Sequence, residues 1–402
     1  MTPAGPKGHP ATRFRWLVLA VFVLSSGINY LDRQSLATLA PLVRTEFHLS
    51  NTQYGLILTA FSVTYMVSAP FAGMLIDGIG LNRAISLAVG LWSCAGIATG
   101  FTRGLGGLVG CRAVLGMAEA AGVPASGKAI HQYLRPAERA LGNALSQAGL
   151  SLGMILAPPI ATWLAVRGGW RQAFVVTGVL GLAWIPLWNW TARRTRPPGS
   201  AETSRKACPS VLRDRRLWAF VAANALGMIG YSLWTNWTTL YLVEVHGLTL
   251  VEAAWYAWIP PLAAMLGGFA GGWLSQRLME RGVAAVAARF RVCLAASVVA
   301  LATAAIPAAS TAGWASAGIS LSIFAVVAFS VNMYTLPLDV FGGPRAAFAV
   351  SLLVTSYGAV QALISPVFGK VIDLYGYAPL AIVASLAPLA ACAVLWGTRS
   401  VE

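Results

Sequence analysis

The chain carries the stretch YGLILTAFSVTYMVSAPFAGMLIDGIGLNR at positions 54–83. Its first 23 residues, 54–76, hold no charged side chain. A helix rises about 1.5 Å per residue, so this segment is long enough to cross the roughly 30 Å hydrocarbon core of a membrane. A short polar segment with Asp77 and Arg83 follows it. The stretch therefore predicts a membrane helix that ends in a tight, charged loop.

Eleven further segments of the 402-residue chain meet the same test of length and apolarity. With the first, the predicted spans lie at roughly 16–41, 54–76, 84–101, 105–130, 141–165, 174–191, 217–243, 255–275, 288–307, 312–336, 346–372 and 377–397. Backbone polar groups in lipid must be satisfied within the segment, and no span has the short alternating pattern of a membrane β-strand. The predicted fold class is an all-α membrane protein with twelve transmembrane helices.

Composition excludes other broad classes of protein. The chain is 57% hydrophobic and only 10% charged, whereas a soluble domain carries about 25% charged residues. An ordinary soluble enzyme is therefore excluded. The net charge of +15 does not indicate nucleic acid, because the basic residues lie between apolar runs instead of forming a stripe on a soluble module. The five cysteines are widely spaced and indicate neither a disulfide framework nor a metal site.

The loop charges predict the topology. With a cytoplasmic N-terminus, twenty basic residues fall on the inner side and five on the outer side, namely Arg44, Arg103, Arg167, Arg171 and Lys370. This bias follows the positive-inside rule and predicts that both termini are cytoplasmic. A basic linker at 192–216 separates an N-terminal six-helix bundle, 1–191, from a C-terminal one, 217–402. Two parallel repeats with a substrate path between them are typical of secondary transporters.

Four motifs carry a resemblance to a known family. The pattern G-x-x-x-D-x-x-G-x-x-R at 73–83 resembles the loop signature of the major facilitator superfamily, although Gly78 stands where a basic residue is usual. Within that superfamily, NYLDR at 29–33, R-x-x-x-G-x-x-E-A at 112–120 and P-x-E-R-A at 136–140 resemble the anion:cation symporter family. That family includes bacterial sugar-acid and hexuronate carriers and the animal sialin and vesicular glutamate carriers. The resemblance covers essentially the whole chain and implies the two-half major facilitator fold.

Four charged residues lie deep inside predicted spans: Asp32, Arg33, Arg112 and Glu119. Such residues are costly in a membrane and favour a functional interpretation. Neighbouring helix positions point about 100° apart, which suits Asp32 and Arg33 if one faces the fourth span and the other a cavity. A structural interpretation is also open, with Asp32 paired to Arg112 and Glu119 to Arg33 or Lys128. In the functional one, a guanidinium holds an anionic substrate, since its planar fork binds carboxylate bidentately, and the carboxyl groups carry protons.

The resemblance implies a role for each of these residues. Arg33 would bind the substrate carboxylate, Asp32 with Arg112 would form a proton-sensitive pair, and Glu119 would be the central proton carrier. Further expected substrate contacts are Tyr30, Tyr65, Gln147, Trp234, Asn332, Tyr357 and Gln361, although the second-half members could equally be packing residues. A gating role at the inner surface is expected for Asp77, Arg83, Glu138 and Arg139. No metal site is expected.

The resulting hypothesis is a proton-coupled symporter that imports an organic anion, a sugar acid such as a hexuronate or aldonate, by alternating access. It needs no cofactor and is driven by the proton gradient. Sugar-acid carriers of this family commonly present an asparagine in the eleventh span, where this chain has Ser356, Tyr357 and Gln361. An exchanger or facilitator for a smaller or aromatic monocarboxylate is therefore an alternative, and a membrane ligand sensor is a distant one.

Other features complete the prediction. No nucleophile, base or metal cluster is in register, and there is no phosphate-binding loop, so neither an enzyme nor an ATP-driven pump is expected. The expected partners are a small anionic substrate, protons and the lipid bilayer, without nucleic acid, and the protein is expected to be monomeric. An Arg-rich, Lys-poor composition favours a bacterial inner membrane.

Overall fold

The structure is a computed structural model that describes residues 10–134, 138–194, 212–341 and 343–399. Its principal elements are fourteen α-helices and a 3₁₀ helix, Leu301–Ala308. The α-helices are α1 (Pro10–Phe47), α2 (Asn51–Ile79), α3 (Leu81–Thr99), α4 (Leu105–Glu119), α5 (Gly122–Tyr133), α6 (Arg139–Arg194), α7 (Arg215–Gly227), α8 (Ile229–His246), α9 (Leu250–Ala257), α10 (Ile259–Glu280), α11 (Ala285–Ala300), α12 (Ala312–Phe341), α13 (Gly343–Tyr375) and α14 (Ala378–Arg399).

These helices form the twelve predicted spans. Ten stretches of the described chain are long and apolar enough to cross a membrane. One of them, Leu141–Arg194, contains two spans because α6 bends at Gly168 and Gly169. Gly169 has φ of +80°, a conformation that glycine adopts without the steric cost of a Cβ atom. The 22-residue α10 supplies the remaining span, and the all-α, twelve-helix prediction is confirmed.

Several spans are interrupted where the sequence predicted one helix. The fourth span divides into α4 and α5 at Ala120 and Ala121. Pro124 lacks the N–H that would bond to the Ala120 carbonyl, which explains the interruption. The eighth span divides into α9 and α10 at Trp258, just before Pro260 and Pro261. The first of these breaks makes Glu119 the last residue of α4, well inside its span.

Each half has its own buried core. In the first half, Trp184 and Trp188 of α6 stack at 5.4 Å between ring centroids. The Trp184 indole donates a hydrogen bond to the Val21 carbonyl of α1, at 2.6 Å, and Phe22 packs edge-on against Trp188. In the second half, the core of α7, α11, α12 and α14 is built by residues such as Phe220, Cys293, Phe329 and Leu395.

The segment between the halves is described only at its edges. Helix α6 continues through Arg194, and α7 begins at Arg215. Asp214 caps α7 by accepting a hydrogen bond from the Arg216 backbone N–H at 2.9 Å. Its hydrogen bond with the Arg216 side chain holds the pKa of the Asp214 carboxyl below its usual value. Residues 195–211 of the predicted linker lie outside the described residues, so the domain boundaries stay a prediction.

The outer surface of the helices is apolar. Phe71, Trp255, Phe269 and Leu363 are 60 to 74% exposed, and such side chains are suited to contact with lipid. The described cysteines, Cys94, Cys111, Cys293 and Cys392, are free, and Cys208 lies outside the described residues.

Candidate functional site

The centre of the first half holds an ion pair between α1 and α4. Arg33 donates two hydrogen bonds to one oxygen of Glu119, from Nε at 3.0 Å and from a terminal nitrogen at 2.7 Å. The Glu119 side chain is fully buried, whereas that of Arg33 is 24% exposed. The guanidinium is thus held on one side by a carboxylate and is accessible on another.

Aromatic rings surround the Arg33 guanidinium. Its central carbon lies 4.9 Å from the ring centroid of Tyr30, 4.6 Å from that of Phe61 and 5.2 Å from that of Tyr65. Tyr30 is one turn before Arg33 on α1, and Phe61 and Tyr65 are one turn apart on α2, which places them on shared helix faces. Cation–π contacts of this kind orient a guanidinium while leaving its N–H groups available. Phe61 was not among the predicted site residues.

Asp32 points away from this cluster. It is 2% exposed, and an added Cβ on Gly96 of α3 would lie 3.6 Å from its carboxylate. Neither Asp32 oxygen has a hydrogen bond within 3.5 Å among the described residues; the Thr177 hydroxyl lies close to this carboxylate and donates to the Phe174 carbonyl at 3.2 Å. The expected arrangement, with either Asp32 or Arg33 facing α4 and the other the cavity, is wrong for Asp32: Arg33 faces α4 and is partly exposed, and Asp32 faces α3 and α6.

The predicted Asp32–Arg112 pair is not a direct ion pair in this structure. Arg112 is 3% exposed, its guanidinium carbon lies 5.9 Å from the Phe174 ring centroid, and its Nε has no hydrogen-bond partner in the described part of the chain. The four deep charges nevertheless lie within electrostatic range of one another. They therefore form one cluster in which only Arg33 and Glu119 touch.

The predicted second-half contacts divide into two groups. Tyr357 of α13 packs against Tyr231 of α8 with ring centroids 6.1 Å apart, and both lie within electrostatic range of Arg33. Gln361 follows one turn after Tyr357 and is half-buried. Asn332 of α12 is fully buried, and its amide donates to the carbonyls of Gly271 and Ala328 at 3.1 and 2.9 Å. The bond to Gly271 joins α12 to α10, and the expected substrate contact of Asn332 stays a prediction.

A cavity lies between the two halves, and Tyr231 is one of the residues that line it. The cavity is small, with room for roughly two or three water molecules, and we call it the inter-half cavity. Trp234 of α8 is one of its lining residues and is 1% exposed. Gln147 of α6 is an exposed position outside the cavity lining.

The predicted gating residues lie at one end of the bundle. Asp77 of α2 pairs with Lys128 of α5 at 2.6 Å, which also removes Lys128 as a partner for Glu119. Arg139 donates to the His131 carbonyl at 3.4 Å, and Arg83 and Glu138 are exposed and half-buried respectively. Pro136 of the same motif lies outside the described residues.

The other end of the bundle, which we call the closed end, joins the two halves. Arg44 of α1 pairs with Glu244 of α8, and the Tyr377 hydroxyl donates to the same carboxylate at 2.9 Å. Asp373 of α13 accepts hydrogen bonds from the backbone N–H groups of Asn51 and Thr52 at 3.0 and 2.9 Å. It therefore caps the start of α2 from the opposite half.

Close backbone approach strengthens the closed end. An added Cβ on Gly55 of α2 would lie 2.3 Å from the Ser365 carbonyl oxygen of α13. One on Gly369 would lie 2.2 Å from the Asn51 carbonyl oxygen. None of these closed-end residues was predicted from the sequence. The available signal was weak: acidic residues at the ends of spans, where a solvated side chain is the ordinary interpretation.

No group of three or more His, Cys, Asp or Glu side chains in the described parts of the chain could hold a metal ion.

Comparison with known proteins adds to this geometry. The sequence profile of the Major Facilitator Superfamily matches residues 22–352. A hexuronate transporter of Escherichia coli K12 is 29% identical over 95% of this chain and 93% of its own length. A probable sulfoacetate transporter of Cupriavidus necator is 30% identical over 90% and 88%. In structure, a bacterial homologue of the human lysosomal transporter Spinster aligns with a TM-score of 0.74 at 21% identity, covering 98% of this chain and 96% of that one.

Proposed function

Because this chain belongs to the major facilitator superfamily, and is therefore a multi-pass membrane transporter and not an enzyme, we propose that it is a proton-coupled symporter for an organic anion. The proposed substrate is a sugar acid such as a hexuronate or an aldonate. The observation that carries the proposal is the partly exposed Arg33 side chain, whose guanidinium is held by the buried Glu119 carboxylate. The names of the hexuronate and sulfoacetate relatives support an anionic substrate.

Arg33 links substrate binding to protons. Its Nε and one terminal nitrogen, which now bind Glu119, form the edge with which a guanidinium binds a carboxylate bidentately. A proton on Glu119 removes the competing negative charge and frees that edge for the substrate. Substrate anion and ionised Glu119 thus compete for the same donors, and this competition couples the two fluxes. Tyr30 and Tyr65 would contact the carboxylate of the bound substrate.

Asp32 is proposed as a second protonation site, which interacts electrostatically with Arg112. Its two oxygens accept no hydrogen bond within 3.5 Å from the described residues and lie within electrostatic range of Glu119 and Arg112. A buried carboxylate without partners favours the neutral, protonated form, and a nearby guanidinium favours the ionised one. A change in the charge of Glu119 would therefore alter the occupancy of Asp32.

The closed end is proposed to be the extracytoplasmic end. The positive-inside bias puts the opposite end, with Asp77 and Arg83, in the cytoplasm. The structure then represents a state open to the cytoplasm, in a bacterial inner membrane, with both termini inside and one chain as the working unit. Asp77, Arg83, Glu138 and Arg139 would close the cytoplasmic end in the opposite state.

Uptake of radiolabelled glucuronate into proteoliposomes under an imposed pH gradient tests the proposal. Glu119→Gln should abolish gradient-driven uptake and leave exchange of labelled for unlabelled glucuronate measurable. Glu252→Gln is the matched control, since Glu252 is an exposed carboxylate at the closed end. The Thr249 backbone N–H holds the pKa of Glu252 below its usual value, so this control also removes a negative charge at neutral pH.

Each result has a clear consequence. Gradient-driven uptake by Glu119→Gln at the wild-type rate would show that Glu119 does not carry the proton. Uptake by the wild type that ignores the pH gradient would favour an exchanger or facilitator, and binding without any uptake would favour a sensor.

A further inference from the structure

Asn29, the first residue of the NYLDR motif at 29–33, lies beside the ion pair of Arg33 and Glu119. It precedes Arg33 by four positions on α1, so the two side chains share one face of the helix. Asn29 is buried, with 7% of its surface exposed, and its side chain lies close to the Glu119 carboxylate. Two residues of α1 therefore approach the same carboxylate of α4.

Asn29 and Glu119 each have a polar atom without a partner. Both Arg33 bonds go to Oε2 of Glu119. Oε1 of Glu119 accepts, and Nδ2 of Asn29 donates, no hydrogen bond within 3.5 Å among the described residues. The amide nitrogens of the buried Asn224 and Asn236, by contrast, both donate to backbone carbonyls. Because an unpaired buried polar group is unfavourable, a free donor and a free acceptor in neighbouring side chains indicate a bond that forms in another state of the site.

Charged and titratable groups surround Glu119 on three helices. Four of them lie within electrostatic range of its carboxylate: Asp32 and Arg33 of α1, Tyr65 of α2 and Arg112 of α4. Of these four, only Arg33 has a hydrogen bond to Glu119 in the described part of the chain. Oε1 of Glu119 is therefore open to a neutral donor.

We propose that Asn29 is a positioning residue, whose amide N–H donates a hydrogen bond to the second oxygen of ionised Glu119 and so holds this carboxylate against Arg33. Hydrogen bonds to an ionised carboxylate are stronger than those between neutral groups, so a small side-chain movement that closes this bond is favourable once Glu119 is charged. The proposal rests on the proposed function, in which ionised Glu119 competes with the substrate anion for Arg33. Asn29 strengthens Glu119 in that competition and makes release of the guanidinium depend on protonation of Glu119.

The pH dependence of glucuronate binding to the purified full-length protein tests this role. In the wild type, glucuronate should bind more weakly as the pH rises, because ionised Glu119 then occupies Arg33. Asn29→Leu removes the amide at similar size and leaves ionised Glu119 with one donor fewer, so less of it is ionised at a given pH. The midpoint of the profile should therefore move up by about one pH unit. Above the wild-type midpoint, the variant should bind glucuronate roughly tenfold tighter than the wild type does, whereas binding at acidic pH should be unchanged. Isothermal titration at a series of pH values measures both effects.

Asn189→Leu is the matched control. Asn189 is a half-buried asparagine near the end of α6 in the same half, and its amide oxygen accepts a hydrogen bond from Ser86 of α3 at 3.4 Å. This variant should show the wild-type pH profile. A second variant at the tested position, Asn29→Ala, lacks the amide without placing apolar bulk beside the carboxylate, and it should show the same upward shift as Asn29→Leu.

Glu119→Gln separates this inference from the proposed function. If the wild-type affinity does not change with pH, or if Glu119→Gln retains the wild-type pH dependence, the proposed function fails. If that dependence is present and is lost in Glu119→Gln, but both Asn29 variants keep the wild-type midpoint, Asn29 does not hold Glu119. Weaker binding at every pH in both Asn29 variants would also overturn the inference, since it would show a general structural role, and so would an equal shift in Asn189→Leu.

Discussion

The cap that Asp373 places on α2 is expected to control which end of the transporter is closed. Its carboxylate accepts hydrogen bonds from Asn51 N–H, Thr52 N–H and the Thr52 hydroxyl at 3.0, 2.9 and 2.8 Å. These bonds run between α13 and α2, in opposite halves, so they break when the halves separate at the closed end. Asp373→Ala should therefore destabilise this state selectively.

The size of the effect follows from the capping geometry. Replacing a residue that caps a helix N-terminus by alanine costs about 0.5–2 kcal/mol, typically ~1 kcal/mol. A negative charge at that terminus contributes roughly 0.3–1 kcal/mol when exposed, as the Asp373 side chain is. A total of about 1–2 kcal/mol corresponds to a roughly 5- to 30-fold shift in the equilibrium between the two states.

Double electron–electron resonance measures this shift as a change in the distance between two spin labels. In a variant without native cysteines, labels at Arg103 and Ser310 occupy exposed loop positions on the two halves at the closed end. Asp373→Ala should raise the ratio of molecules with the longer label distance to those with the shorter one roughly 5- to 30-fold. Asp214→Ala is the matched control, because Asp214 caps α7 by a bond within one half, and it should not change the distance distribution.

Two results would refute the reasoning. One is an unchanged distance distribution for Asp373→Ala in a folded protein. The other is an equal shift for Asp214→Ala, which would mean that loss of any helix cap loosens the bundle.

Other predictions concern packing and charge. Gly55→Ala should widen the same label distance, because its methyl group would lie 2.3 Å from the Ser365 carbonyl oxygen, whereas Gly73→Ala should not, since nothing lies within 4 Å of that position. Asp77→Asn should change the unfolding free energy by less than about 1 kcal/mol, because the ion pair of Asp77 with Lys128 is exposed. The same substitution should slow glucuronate uptake if Asp77 gates the cytoplasmic end. Normal uptake would contradict that role. Trp184→Phe should lower the unfolding free energy by about 1 kcal/mol, through loss of the 2.6 Å hydrogen bond from Trp184 to the Val21 carbonyl. Titration with a denaturing detergent measures this free energy. An unchanged value would show that the hydrogen bond adds no net stability.

Part of the site could be predicted from the sequence because charge is so costly in a membrane. That cost singles out Asp32, Arg33, Arg112 and Glu119 without any coordinates. The partners of these residues were harder to predict. Spacing along a helix gives the angle between Asp32 and Arg33, but not the rotation of α1 against its neighbours. The structure shows that rotation: Arg33 faces Glu119, and Asp32 faces α3 and α6.

Neutral polar residues were the least predictable. Asn332 and Trp234 look alike in the sequence, as single polar groups in apolar spans. In the structure, the Asn332 amide nitrogen donates to two carbonyl groups, whereas the Trp234 indole nitrogen has no partner among the described residues, and Trp234 lines the inter-half cavity. A polar group is available to a ligand only when packing leaves it unpaired, and packing depends on residues distant in the chain.

The sequence by itself determined the twelve spans and the small set of deep charges, because both follow from the free energy of placing each side chain or segment in lipid. Only the tertiary structure decided that Arg33 binds Glu119, that Asp373 caps α2 and that a small uncharged cavity lies between the halves. These features join helices that are far apart in the chain, and their geometry depends on how the two halves meet.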